Sequence, residues 1–184
     1  IPNNHHAKHA LGVIIPACED AARDGKSIGV IATESSVESG AFIREITKIN
    51  PQAQVIQQAC PLLVKLVETG ESDVEILDKV LNRYLGPLVK QGMDTLLLGC
   101  THYGLLEEHI KRALQALNSD ARIVHEGRVV ADRFQRYLKN HPEYQLRLSK
   151  NGTRMFYATD MSKDFQVLGS QYFGEEIEVK QAAL

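Results

Sequence analysis

The chain has 184 residues, 43% of them apolar, and its 21 Lys and Arg against 23 Asp and Glu give a formal net charge of −2. That balance offers no basic face for nucleic acid or an anionic membrane surface, so neither is expected as a partner, and no apolar run approaches the roughly 20 residues that span a bilayer. The opening Ile1-Pro2-Asn3-Asn4-His5-His6 lacks the charged and apolar regions of a signal peptide, so a cytoplasmic protein is expected. Cys18, Cys60 and Cys100 are odd in number and have no Cys-x-x-Cys spacing. They read as free thiols in a reducing compartment rather than as a disulfide framework or a zinc ribbon.

In chain order, residues 1–10 read as a polar linker or disordered start. Leu11 to Ile15 reads as a strand broken by Pro16, Cys18 to Arg23 as a short helix, and Ser27 to Ala32 as a second strand after the Asp24-Gly25 turn. A polar loop, Thr33 to Ser36, leads into a helix over Val37 to Ile49, and a strand covers Gln54 to Gln58. Cys60-Pro61 opens a helix, since proline suits the first helical turn, and a long helix runs from Asp73 to Lys90. The buried strand Thr95 to Leu98 follows, Gly99 allows a tight turn, and Leu105 to Leu117 carries helical periodicity. This βαβα repetition predicts an α/β domain over residues 11–119, a parallel sheet with helices on both faces.

Beyond it, Arg122 to His125 reads as a strand and Val129 to Asn140 as a helix. A polar stretch from His141 to Asn151 follows, with a short strand around Gln145 to Leu148. Strand Arg154 to Ala158, helix Ser162 to Phe173 and strand Ile177 to Gln181 close the chain. So few elements make a poor independent domain. Residues 120–184 are therefore expected to complete a sheet begun elsewhere, by extending the first one or by joining residues outside the chain.

The chemistry concentrates in Leu96-Leu97-Leu98-Gly99-Cys100-Thr101-His102-Tyr103. Cys100 falls at a strand's carboxyl end beside a helix amino terminus, where open parallel sheets bind ligands. The free amides and dipole there favour a thiolate and a substrate carboxylate. Against this stand plainer readings: Cys100 as a small buried residue, His102 and Thr101 as helix caps, and Thr33 with Ser36 as a local side-chain turn. Cys18 and Cys60 read as structural. His5, His6 and His9 lack the ligand spacing of a zinc site. With no Gly-x-Ser-x-Gly elbow and no phosphate-binding glycine loop, no metal, nucleotide or pyridoxal cofactor is indicated.

Four segments in order carry a family resemblance: Gly12-Val13-Ile14-Ile15-Pro16; Ile28-Gly29-Val30-Ile31-Ala32-Thr33 with Ser36 and Ser39; Cys60-Pro61-Leu62-Leu63-Val64 with Leu66-Val67-Glu68; and Leu97 to Tyr103. Together with Ile123 to Gly127 and Phe156 to Thr159, they resemble the carboxyl-terminal two thirds of the aspartate/glutamate racemase family. Gly104 stands where a proline is usual, Ser36 where threonine is usual and Phe42 where tyrosine is common.

The resemblance implies two similar parallel-sheet three-layer α/β domains with the active site between them, each giving one catalytic cysteine. The amino-terminal domain, with its Cys-Asn-Thr motif, is incomplete in this chain, and residues 120–184 would return to it. The implied activity is a cofactor-independent racemisation of L- and D-glutamate by two thiols, supplying D-glutamate for peptidoglycan. Racemisation takes the α-proton from one face of a carbon and returns one to the other, which suits a pair of thiols exchanging acid and base roles. Cys100 would serve one face, assisted by His102; Thr101, Thr33 and Ser36 would bind the substrate carboxylate. Glu68 would orient His102 or hold the substrate ammonium. An aspartate or hydantoin racemase, or a truncated racemase-like chain that binds without turnover, are the alternatives, and a homodimer is an assembly the resemblance allows.

Overall fold

The computed structural model describes residues 12–161 and 163–183, with the side chains of 163 and 164 excepted. The chain divides into two compact units, one ending at Tyr137 and one running from Leu138.

In the first unit β1 (Ser27–Ala32), β2 (Gln54–Ala59), β3 (Thr95–Gly99) and β4 (Arg122–His125) form a parallel sheet in the order β2-β1-β3-β4. Its helices are α1 (Ile14–Asp24), α2 (Glu34–Glu38), α3 (Ala41–Ile49), α4 (Pro61–Glu68), α5 (Val74–Lys90), α6 (Glu107–Ala116) and the start of α7 (Glu126–Asn140), with a 3-10 turn over Thr101–Leu106. Alternation of side chains along each strand sends two apolar sets to opposite faces. Ile28, Val30, Ala32, Leu97 and Val124 pack with Ala17, Cys18 and Ala21 of α1 and Phe42 and Ile46 of α3. Ile31, Leu96 and Leu98 pack under α4, α5 and α6 through Leu63, Leu81, Leu85 and Ile110. Each such fully buried aliphatic side chain contributes roughly 1.5–3 kcal/mol, so both helical layers are held by the sheet they cover.

This strand order has a consequence for ligand binding. The connection from β1 leads through α3 to β2 on one side, whereas the connection from β3 leads through α6 to β4 on the other. The chain thus reverses its direction of travel between β1 and β3, and open α/β sheets bind ligands beyond the strand carboxyl ends at such a switch.

The first predicted strand is corrected. Of Leu11 to Ile15, residues 12–15 are described, and Ile14–Asp24 is one helix with Pro16 in its first turn, where no intrahelical N–H is needed. A short apolar run cannot by itself distinguish strand from helix. Here the row of small residues, Ala17, Cys18, Ala21 and Ala22, decides for a helix lying close on the sheet. The helix expected over Val37 to Ile49 is two, parted at Gly40, whose φ of 63° lies in the left-handed region that suits a residue without a Cβ. Gly99 does not make a tight turn. It ends β3 without a positive φ, and a Cβ there would stand 2.8 Å from Cζ of Phe42, so it is small because an aromatic ring needs the room.

The segment from residue 120 onward is shared between the two compact units. β4 pairs with β3, Leu97 opposite Val124, and so extends the first sheet. The second unit then holds α8 (Pro142–Gln145), β5 (Phe156–Ala158), α9 (Lys163–Phe173) and β6 (Val179–Gln181), with β5 and β6 parallel. A helical turn occupies part of the stretch where a short strand was expected. Phe156 meets Phe173 edge-on at 5.0 Å, and the Arg154 guanidinium lies 5.1 Å over the Phe173 ring. Leu146, Met155, Tyr157 and Val167 nonetheless remain exposed. Among the described residues no helix is long and apolar enough to cross a membrane.

Candidate active site at the carboxyl ends of the strands

The register Ala32 opposite Gly99 puts Thr33 and Cys100, the next residues of their chains, on either side of the switch between β1 and β3. Beyond β1, Thr33 caps α2: its Oγ1 accepts the Ser36 N–H at 3.3 Å and donates to Ser36 Oγ at 2.9 Å. The expected polar loop is therefore a capped helical turn, with both hydroxyls half-buried.

Beyond β3, half-buried Cys100 precedes the 3-10 turn. Its Sγ is 3.7 Å from Nδ1 of His102, and Nε2 of His102 is 3.6 Å from a carboxylate oxygen of Glu68. Glu68 arrives from the end of α4, so three residues from two elements make a thiol–imidazole–carboxylate line. Thr101 lies exposed beside it. The turn is held from below by Tyr103, fully buried, whose hydroxyl donates to the carbonyl of Cys60 at 3.1 Å. The six predicted site residues thus form two groups flanking the switch: Thr33 with Ser36, and Cys100 with Thr101, His102 and Glu68.

The electrostatics correct one expectation. Burial pushes the Cys100 thiol above its ordinary value; the backbone N–H groups of His102 and Tyr103 pull it down, and the Glu126 carboxylate raises it further. The helix-terminus effect is present in those two amides, but desolvation outweighs it, so the thiol rests protonated. Cys18 and Cys60 are fully buried and pushed up to about 12, chiefly by burial. Both side chains belong to the core clusters on the two faces of the sheet.

Two residues at this edge were not singled out from sequence. His125 ends β4, and its Nδ1 accepts the Gly127 N–H at 3.1 Å. Glu126, 5% exposed, opens α7, and burial raises its carboxyl to about 7. The signal that found Cys100, a reactive side chain between a short strand and a helix start, applies equally to His125-Glu126-Gly127. His5, His6 and His9 lie outside the described residues.

A profile of the Asp/Glu/Hydantoin racemase family matches residues 5–127. The glutamate racemase of Persephonella marina is 37% identical over 176 residues, 95% of this chain and 63% of that protein. Among solved structures, a glutamate racemase isoform of Bacillus anthracis superposes with a TM-score of 0.82 at 28% identity, over 97% of this chain and 66% of that one. The glutamate racemase of Francisella tularensis in complex with D-glutamate gives 0.80 at 26%, over 93% and 62%. The chain therefore spans somewhat under two thirds of the length of these relatives. A family profile covering two thirds of the chain, and the same parallel-sheet fold in these solved relatives, lead to one conclusion: the chain belongs to the Asp/Glu/Hydantoin racemase family.

Proposed function

We propose that the chain carries one of the two acid–base halves of a cofactor-independent glutamate racemase. The observation that carries this reading is the Cys100–His102–Glu68 line at the sheet's switch point. Family membership and relatives named glutamate racemase favour glutamate over aspartate or a hydantoin.

Cys100 and His102 are the catalytic pair. In one direction the protonated Cys100 thiol delivers its proton to the α-carbon and becomes a thiolate, stabilised by the N–H groups of His102 and Tyr103. In the other, the thiol first gives its proton to Nδ1 of His102, in the tautomer that leaves that nitrogen free to accept, and the thiolate then removes the α-proton. Glu68 beside Nε2 stabilises the imidazolium so formed. Thr101, Thr33 and Ser36 supply hydroxyls, and the turn after Cys100 supplies amides, for the substrate carboxylates.

The reaction needs a second acid–base group on the opposite face of the substrate. Cys18 and Cys60 are too deeply buried to be that group, so the partner thiol comes from residues outside this chain. Residues 138–184, whose two short strands leave large apolar side chains exposed, belong on this reading to the domain that carries it; so small a unit does not bury a core of its own. The test is circular dichroism of D- and L-glutamate interconversion by the full-length protein. Turnover abolished by Cys100→Ala supports the reading, and turnover that survives it overturns it.

A further inference from the structure

We propose that His125 is a positioning residue for the Cys100 thiol, acting through Gly104. The proposal rests on the reading of Cys100 as the acid–base group. His125 is the register partner of Leu98, so it shares the sheet face on which the Thr101–Leu106 turn sits. Its ring lies between two glycines. A Cβ built at Gly104 would stand 2.3 Å from Nε2 and 2.9 Å from Cε1 of His125, and one built at Gly127 would stand 3.1 Å from Cε1. The imidazole thus occupies the space that a side chain at position 104 would take. Because Nδ1 accepts the Gly127 N–H, the neutral ring carries its proton on Nε2, the atom turned toward Gly104.

That contact bears on the chemistry because of what the turn does. Its second residue, His102, brings its ring to 3.7 Å from the Cys100 sulfur, its third, Tyr103, donates its backbone N–H to the Cys100 carbonyl at 3.1 Å, and the amides of both favour the thiolate. The turn is pinned to the end of β2 by the Tyr103 hydroxyl on the Cys60 carbonyl. His125 braces it from the end of β4, the strand on the other side. Small displacements of groups aimed at a reacting atom are costly, about a hundredfold in rate for an ångström. A ring wedged against the turn between two glycines fixes that displacement.

The test is the rate of Cys100 alkylation by iodoacetamide in the full-length protein, followed by mass spectrometry of the Cys100 peptide across pH 6 to 10. Gly104→Ala forces the ring and the turn apart, shifts the turn that carries the His102 ring away from the sulfur and slows alkylation at neutral pH by about tenfold, the equivalent of one pKa unit. His125→Asn keeps an acceptor for the Gly127 N–H but removes the ring, and gives a similar loss. In the double variant the methyl finds room, so its rate equals that of His125→Asn alone. Alkylation of Gly104→Ala at the parental rate overturns the proposal, as do losses that multiply in the double variant. Should Gly104→Ala fail to fold, His125→Asn decides by itself: a profile moved to higher pH supports the brace and a parental profile overturns it. Absence of glutamate turnover in the parent protein would instead overturn the racemase reading while leaving the alkylation result standing.

Discussion

The hydroxyl of Tyr103 donates to the carbonyl of Cys60 across 3.1 Å, tying the turn that follows β3 to the corner that follows β2. Both residues are buried, and the bond spans two strands that are not neighbours in the sheet. It explains why an aromatic residue with a polar tip stands three positions after the reactive thiol. Phe fills the same volume without the donor and leaves the Cys60 carbonyl with the Leu63 N–H at 3.2 Å as its partner. Tyr103→Phe is expected to cost about 1–2 kcal/mol in urea denaturation. On the proposed mechanism it also lowers kcat of the full-length protein for glutamate racemisation more than it raises KM, because the freed turn carries Cys100. Unchanged kcat beside lowered stability would confine Tyr103 to the core.

Cys100 serves one face of the substrate on this mechanism, so its loss acts asymmetrically. In the full-length protein Cys100→Ser slows α-proton loss from one enantiomer of glutamate far more than from the other, by at least about a hundredfold, since a serine hydroxyl is a much weaker acid than a thiol. Exchange of the α-hydrogen in deuterated water, measured separately for D- and L-glutamate, reads this out. Equal losses for both enantiomers would reduce Cys100 to a structural part.

Much of this arrangement is legible in the residues. The parallel strands β1, β2 and β3 and the placement of Cys100 at a strand end follow from apolar runs, prolines and spacing. What is not legible turns on tertiary contact. Ile14 and Ile15 look like strand residues until the small face of Ala17 and Ala21 is set against the sheet. Gly99 looks like a hinge until Phe42 claims its space. His125 reads only as the last residue of a strand, and Glu126 carries no local signal of its burial, because nothing local announces that β4 lies beside β3. The pairing of β4 with β3 is itself unannounced, since register between distant segments has no local signature. The protonation of Cys100 belongs to the same class: amide and imidazole neighbours are readable from Cys-Thr-His, whereas the desolvation that outweighs them is a property of the packed fold.

Glu126 gives the fold a distinct pH dependence. Burial raises its carboxyl from an ordinary 4.5 to about 7, so between those values the folded chain holds a proton that the unfolded chain has lost. Stability is then greatest below about pH 4.5 as far as this group is concerned, falls as pH rises toward 7 and is level above it. Glu126→Gln removes that decline. Urea denaturation at pH 5 and pH 8 should show the variant close to the parent at the lower pH and more stable by about 2–3 kcal/mol at the higher. The same variant relieves the charge that raises Cys100 and speeds its alkylation at pH 8. A stability difference that is the same at both pH values would show that Glu126 ionises normally.

The opposite end of the sheet supplies the control. Asp94 stands before β3, and its carboxylate accepts the N–H groups of Lys26 and Ser27 at 2.9 and 3.0 Å and the Thr95 hydroxyl at 2.8 Å. It pins the start of β1 to the start of β3, the two strands whose far ends flank the site. Partial burial works to raise its pKa, but the bonds from Ser27, Thr95 and Lys26 and the Lys26 charge prevail, and the carboxyl lies below its ordinary 3.8. A lowered carboxylate contributes stability above its unfolded value and loses it as pH falls through the folded one. Asp94→Ala is therefore expected to cost about 1 kcal/mol near neutral pH, an amount tempered by the exposure of the group. The deficit shrinks below about pH 4, where the parent's carboxyl takes up its proton. Thermal melts at pH 7 and pH 3 measure the deficit, and Cys100 alkylation per folded molecule should equal that of the parent. An altered alkylation profile would mean that the β1–β3 register, and not the Tyr103 and His125 contacts alone, sets the position of the thiol.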